Sequence, residues 1–277
     1  MKKIQFPLVK IWLYSLVVLL LYSCQKDSTK TIRKLPTLLE FIELSKEDHS
    51  TVALTLDKGY AANQKVYPRL EATFINQANP RGVLKKVGDV EFEGYKLKSS
   101  SQNVYENIDD LMKSEDHRTF LLGLFGKTVT VKIDFDTTKN NNIALRNAEQ
   151  ISGQLYIPKE IDGNLQLLPQ DGLSRNSTLS WTPDANNAKG VYIVIRFDAK
   201  SFGNEAFVAN QSFHKAIQTE DNGSYNFSLN DFATIPIGAL IDISWGRGNY
   251  IELNSGNPSH NVLLMSYSSK QKKVKIQ

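Results

Sequence analysis

Residue types that carry out acid–base or metal chemistry are few in this chain of 277 residues. None of the four histidines lies in an H-E-x-x-H motif or at helical ligand spacing from another, and a single cysteine leaves zinc without its usual thiolate ligands. These histidines are His49, His117, His214 and His260. Oxygen-rich runs at 134–142 and 184–187 could ligate Ca²⁺, but such residues more commonly set turn geometry. We therefore predict no metal site and no cofactor.

Carboxylates two residues apart raise the question of glycoside hydrolysis. Glu91 with Glu93, and Asp134 with Asp136, each share one face of a predicted strand, about 7 Å apart. Glycosidases need two carboxyl groups about 5–9 Å apart, but alternating acids are also typical of the solvent face of a sheet. The sequence contains no G-x-S-x-G, P-loop or G-x-G-x-x-G motif. We predict no catalytic residue and no enzymatic activity, and we keep an envelope hydrolase as an alternative.

Aromatic side chains could serve binding instead of catalysis. Of the three tryptophans, Trp181 and Trp245 lie beyond residue 24, and we interpret Trp181 as a core residue. Trp245 and Tyr250 flank a Gly- and Asn-rich stretch that includes Gly246-Arg-Gly248, which we interpret as a turn or bulge. Exposed rings there could stack on sugars, so Trp245 and Tyr250 are the candidate glycan-contact residues.

The N-terminus carries the features of a secretory signal. Two lysines follow Met1, and the apolar run from Ile11 to Tyr22 is too short to span a bilayer as a helix. Removal of this segment would take away three of the 33 basic residues and none of the 29 acidic ones, leaving a net charge of +1. A near-neutral chain has no electrostatic basis for binding nucleic acid.

Leu21-Tyr22-Ser23-Cys24 resembles a bacterial lipobox. The resemblance implies a lipoprotein signal peptide at 1–23, diacylation of Cys24, a polar tether at 24–44 and membrane attachment through the lipid anchor. A plain signal peptide or short anchor with an incidental cysteine is the alternative. The absence of any other thiol agrees with an oxidising envelope compartment.

Two further short motifs resemble sequences of Bacteroidetes. Gln25-Lys26-Asp27 is similar to the start of their lipoprotein surface-export tag, although Ser28 and Thr29 depart from it. This implies outer-membrane residence and leaves periplasmic or surface orientation open. Asp136-Thr137-Thr138 is similar to their short O-glycosylation pattern, which implies Thr137 as the modified residue.

Beyond residue 50 the sequence alternates mainly with the period of two that is typical of strands. The clearest case is Lys127–Phe135, whose apolar and polar residues fall on opposite faces. Three segments instead have a helical pattern: Leu35–Leu44, Gln102–Ser114 and a single turn at Asn230–Ala233. The predicted strands are 51–56, 70–75, 90–95, 127–135, 151–157, 178–181, 190–197, 224–229, 240–245 and 262–267.

These short strands, separated by Gly, Pro and Asn, predict an all-β fold of antiparallel sandwiches. A turn-rich stretch at 162–172 predicts two domains, at 45–162 and 170–277, with one larger β domain as the alternative. Leu179–Asn187 and Gly190–Phe197 resemble a fibronectin type III strand pair, which implies Ig-like sandwiches. Together with the lipobox, the chain resembles envelope lipoproteins of Bacteroidetes built from such sandwiches.

We expect an outer-membrane-anchored lipoprotein with a non-enzymatic binding or scaffold role. Its partners would be the membrane, through the lipid, and a glycan or another envelope protein. Two alternatives stay open: a glycan-binding lipoprotein of a polysaccharide-uptake system, and a pilus or adhesin subunit that assembles by strand addition.

Overall fold

The computed structural model describes residues 50–58, 66–75, 84–100, 103–106, 114–135, 149–201, 203–208, 211–255 and 260–277. All of these lie in one compact unit, Thr37–Gln277. Within the described ranges, no helix has the length and apolar character needed to cross a bilayer. The described residues form the following strands and α-helix: β1 (Ser50–Lys58), β2 (Arg69–Thr73), β3 (Val90–Phe92), β4 (Tyr95–Lys96), β5 (Lys98–Ser99), β6 (Val104–Glu106), α1 (Glu115–Leu122), β7 (Lys127–Phe135), β8 (Glu149–Ile157), β9 (Asn164–Leu165), β10 (Gly172–Leu173), β11 (Thr178–Ser180), β12 (Val191–Asp198), β13 (Ser212–Thr219), β14 (Ser224–Asn226), β15 (Leu240–Leu253) and β16 (Val262–Ile276).

A nine-stranded sheet runs through both halves of the described chain. Its strand order is β13-β12-β15-β16-β1-β2-β6-β5, and β10 pairs with the far end of β16. The pairs β1–β16 and β10–β16 are parallel, whereas the other pairs are antiparallel. The fold is therefore all-β, as the sequence predicts.

A second sheet, β4-β3-β7-β8, packs on the part of the large sheet formed by β16, β1 and β2. The alternation of β7 explains this packing: Val129, Val131 and Ile133 are buried, while the residues between them face outward. On the facing strand, Val52 and Leu54 of β1 lie in the same hydrophobic core. We call this group of buried side chains the first core.

A third sheet, β14-β11-β9, packs on the part of the large sheet formed by β12 and β15. Its second core contains Leu179 and Trp181 on one side, and Ile193 and Ile243 on the other. The described chain is thus sandwich-like at both ends, and the large sheet supplies one layer at each end.

The two longest strands join these ends. β15 and β16 pair from Leu240–Lys275 to Leu253–Val262, forming a continuous antiparallel ribbon. Val262 contributes to the first core and Val274 to the second. The hydrophobic cores therefore separate near the predicted linker, whereas the sheet is continuous, and the division into domains 45–162 and 170–277 stays a prediction.

Most predicted strands are confirmed, and β7 has the predicted bounds. Two predictions are wrong. Val104–Glu106 form a strand, not the start of a helix, although 107–113 lie outside the described residues, as does the predicted helix at 35–44. Gly246-Arg-Gly248 is not a turn, because β15 continues through it. Glycine is required at both positions, since a Cβ at Gly246 or Gly248 would overlap the neighbouring strands.

Candidate functional site

The inner face of the β15–β16 ribbon changes from apolar to polar midway between the two cores. In β15, Arg247 and Asn249 follow Trp245 on the same face, and the register pairs them with Ser268 and Ser266 of β16. Arg247, Ser266 and Ser268 are buried. We call Arg247, Asn249, Ser266 and Ser268 the polar junction. Because these residues cannot join a hydrophobic core, they keep the two cores separate.

Arg247 is the charged member of the polar junction, and 1% of its side chain is exposed. Its Nη1 lies 3.5 Å from Oδ2 of Asp221, whose side chain is 3% exposed. Its Nη2 donates a hydrogen bond of 2.6 Å to the backbone carbonyl of Thr182. A buried guanidinium costs much free energy unless an anion and acceptors compensate it. Asp221 and Thr182 compensate Nη1 and Nη2, whereas the buried Nε has no hydrogen-bond partner among the described residues.

Asp221 is itself held by neutral donors. Its Oδ1 accepts a 2.7 Å hydrogen bond from the indole N–H of Trp181, and its Oδ2 accepts one of 2.8 Å from Nδ2 of Asn187. Asn187 also donates to the carbonyl of Gly190 at 2.7 Å. The carboxylate therefore connects the ribbon to β11 and to the turn that precedes β12.

Asp162, in the segment between the two halves, is a second acid near Arg247. Burial acts to raise the pKa of Asp162, but hydrogen bonds from the hydroxyl and amide of Thr182, together with the charge of Arg247, lower the pKa below its ordinary value. The carbonyl of Asp162 also accepts a hydrogen bond from the Trp245 indole at 3.2 Å.

Further hydrogen bonds tie the end of β8 and the segment after it to the ribbon. The amide of Ile161 donates to Oγ of Ser268 at 2.8 Å, and Nδ2 of Asn249 donates to the carbonyl of Tyr156 at 2.9 Å. Lys270 donates to the carbonyl of Gly163 at 3.2 Å. The connection between the two halves is thus fixed to the ribbon along its length and does not act as a flexible linker.

A second polar group lies at the edge of the first core. Nδ1 of His260 lies 2.6 Å from Oε2 of Glu149, and Nε2 of His260 lies 3.2 Å from Nζ of Lys85. The imidazole stacks on the ring of Phe135, with 4.2 Å between ring centroids, and His260 is 6% exposed. We call Glu149, His260 and Lys85 the charge relay.

One tautomer of His260 satisfies the hydrogen bonds on both sides of the ring. Its Nδ1–H then donates to the Glu149 carboxylate, and its Nε2 accepts from the Lys85 ammonium, so every charge meets a complementary group. The hydrogen bond from His260 lowers the pKa of Glu149; burial acts in the opposite direction, and Ser255 and Lys85 reinforce the lowering.

The residues that the sequence singles out for glycan contact do not present open rings. Trp245 is 3% exposed and packs in the second core, while Tyr250 is 7% exposed in a separate buried cluster on the opposite face of the large sheet. Lys189 lies over the Tyr250 ring, with Nζ 4.2 Å from its centroid. Cys24, the tether at 24–44 and Thr137 lie outside the described residues.

Among the described residues, the carboxylates that could have formed a catalytic pair or a metal site contact other protein groups. Glu91 pairs with Lys132 at 2.9 Å, and Oε2 of Glu93 accepts the amide of Thr130 at 2.6 Å. Asp184 accepts the amide of Lys159 at 2.7 Å. No group of three or more His, Cys, Asp or Glu in the described part of the chain could hold a metal ion.

No protein-family model matches the chain, and no curated protein matches it. Sequence reasoning missed both the polar junction and the charge relay. The partners in each are brought together from distant parts of the chain, so no local spacing marks them. The only local signal was the polar residue Arg247 between two glycines, at the inward-facing period of an apolar strand.

Breaking the ion pair of the polar junction should be costly. Arg247→Met keeps most of the side-chain volume but leaves the buried Asp221 carboxylate without its cation, and we expect it to lower the free energy of unfolding by about 3–5 kcal/mol. Urea unfolding measures this. Lys96→Met, which removes an exposed pair with Asp89, is the control and should cost at most about 1 kcal/mol. Equal losses for the two variants would contradict a special role for the junction.

The charge relay predicts a pH-dependent contribution from Glu149. Because the pKa of Glu149 is lower in the folded protein than in the unfolded chain, its stabilisation is present above the unfolded pKa of about 4.3 and is lost as the pH falls through the folded value. Glu149→Gln should therefore reduce the urea midpoint at pH 7, and the reduction should become smaller as the pH is lowered toward 3. Glu220→Gln, which removes an exposed carboxylate, serves as control. A Glu149→Gln deficit that is the same at both pH values would disprove the relay.

Proposed function

We propose that this protein is a non-enzymatic envelope lipoprotein, anchored at the outer membrane through acylated Cys24, whose folded part is a rigid scaffold that carries a binding surface. The lipobox-like sequence that ends at Cys24 supports the anchor. The all-β structure supports the scaffold, and we propose that its two ends are Ig-like sandwiches.

The observation that carries the scaffold role is the continuous β15–β16 ribbon with its polar junction. Fourteen residue pairs run along the ribbon without a break, so bending between the two cores would have to break ladder hydrogen bonds. The buried pair of Arg247 and Asp221 opposes the same motion. A rigid body can present a binding surface of fixed shape, while the lipid keeps it at the membrane.

The geometry gives less support to assembly as a pilus subunit. In donor-strand assembly, a strand from another copy completes a sheet that lacks one of its own strands. Here β1 already lies between β16 and β2, and its pairing partners run from Ser50 to Lys58 on one side and from Thr51 to Thr55 on the other. A donor strand from another copy would have to displace β1 from both neighbours.

The anchor can be tested directly. In a Gram-negative host, the mature protein should fractionate with membranes, and mass spectrometry should find an acylated N-terminal peptide that begins at Cys24. Cys24→Ala should abolish acylation and release the folded part from the membrane, because one thioether-linked diacylglycerol supplies two of the buried chains that stable anchoring needs. Ser23→Ala, which keeps a small residue before the cysteine, is the matched control. Membrane fractionation of Cys24→Ala like that of wild type would refute the anchor.

The rigidity of the scaffold has its own test. Spin labels on Ser99→Cys in β5 and Ala216→Cys in β13, both exposed positions at the two edges of the large sheet, should give one narrow distance distribution by pulsed electron resonance. Two labels on the same edge strand, at Ser212→Cys and Ala216→Cys, calibrate the width that a rigid element gives. A distribution between edges that is several times broader would show that the halves move independently.

A further inference from the structure

A cleft of about 300 Å³ opens between α1, the β3–β4 turn and β7. This volume lies at the lower end of the range found for small-molecule pockets. Its lining combines one exposed aromatic ring, an apolar floor and a rim of charged and hydroxyl side chains. None of the residues of the polar junction or the charge relay contributes to it.

One wall of the cleft is the ring of Phe120, which is 37% exposed. The ring does not stand alone: Tyr95 lies behind it, with 6.2 Å between centroids and a tilt of 34°. Tyr95 is in turn supported by the ring of His117 at 5.4 Å. This row of rings holds Phe120 in place on the surface of α1, where an unsupported phenylalanine would lose contact with the fold.

The floor of the cleft is apolar and belongs to the first core. Leu124 is 4% exposed and Val129 is 1% exposed, and both line the cleft. Together with Phe120 they form the apolar part of the lining. A ligand that lies here must present an apolar face of its own.

The rim carries Glu93 on the β3–β4 turn and Lys127 at the start of β7, with the hydroxyls of Thr119 and Thr128. Glu93 is fixed in place: its amide donates to the carbonyl of Thr130 at 2.7 Å, and its Oε2 accepts the amide of Thr130 at 2.6 Å. The rim therefore offers both donors and acceptors, with a carboxylate of set orientation.

Glu93 adopts an unusual backbone conformation to reach this position. It has φ of +48°, and Gly94 follows with φ of +81°, so the two form the centre of a hairpin turn that normally prefers Asn or Asp at the first position. A glutamate in the left-handed region is strained. The longer side chain at this position brings a carboxylate over the cleft.

The rim charges decide the class of ligand. Glu93 and Lys127 place one negative and one positive charge on the rim, so a ligand without net charge matches the lining. Donors and acceptors around the rim require a ligand with many hydroxyl groups, and the Phe120 wall requires a flat C–H face. We propose that this cleft binds one unit of a neutral carbohydrate, with a pyranose face stacked on Phe120 and its hydroxyls bonded to Glu93, Lys127 and Thr128. The inference rests on the binding role proposed above and names its ligand class.

The test uses the full-length protein in detergent on an array of neutral, acidic and amino-sugar oligosaccharides, followed by calorimetry with each retained glycan. Wild type should retain at least one neutral glycan. Phe120→Ala should weaken that binding at least tenfold, since aromatic stacking is lost. Leu229→Ala removes another exposed apolar side chain, far from the cleft in sequence and 59% exposed, and should bind as wild type does.

Glu93→Gln is the second variant, because glutamine keeps an oxygen that can accept the Thr130 amide while it removes the charge. It should weaken neutral-glycan binding several-fold with an unchanged melting temperature, which keeps the test valid if Phe120→Ala fails to fold. Retention of no neutral glycan, retention of acidic or amino sugars only, or wild-type binding by both variants would overturn the proposal. Each of these results leaves the acylation of Cys24 and the rigidity of the ribbon to be judged by their own measurements.

Discussion

The buried ion pair between Arg247 and Asp221 is the constraint around which the described chain is arranged. A guanidinium removed from water needs a carboxylate and further acceptors at short range, so Asp221 and the carbonyl of Thr182 must be brought to the middle of the ribbon. Meeting this requirement places the turn before β14 and the segment after β11 against β15. The contacts of Trp181 and Asn187 with the same carboxylate then fix the third sheet over the second core.

This polar centre also explains why one long sheet supports two cores. On the inner face of β15, Ile243 and Trp245 lie in the second core, and Ile251 and Leu253 pack against the first, with Arg247 between the two pairs. An uninterrupted apolar face would favour a single larger core across the whole ribbon. Arg247 divides the apolar packing into two cores but leaves the backbone ladder of β15 and β16 intact. The two halves therefore have separate hydrophobic cores and share one sheet.

Local periodicity was sufficient for much of the fold, and β7 shows why. The alternation of apolar and polar residues over Lys127–Phe135 indicates one buried and one solvated face. This pattern does not depend on which element packs on the buried face. The extension of β15 past Trp245 could not be predicted in this way, because the glycines at 246 and 248 are required by the close approach of neighbouring strands and look like a turn in isolation. The charge relay was equally hidden, since Glu149 and His260 are 111 residues apart. The sequence selected Trp245 and Tyr250 as candidate glycan-contact residues, but both rings are buried. The exposed ring of Phe120 gave no signal, because the sequence pattern did not predict a helix at 115–122.

The parallel pairing of β1 with β16 has a consequence for biogenesis. Ser50 pairs with Val262. One edge of β1, the first described strand, therefore stays unpaired until nearly the end of the chain has been made. Contacts between residues so far apart in sequence slow folding, because a long loop must close before they form. During synthesis, the N-terminal half therefore emerges with an open strand edge and a partly assembled hydrophobic interior. A holding chaperone would have its greatest effect in that interval, before the C-terminal strand has been made.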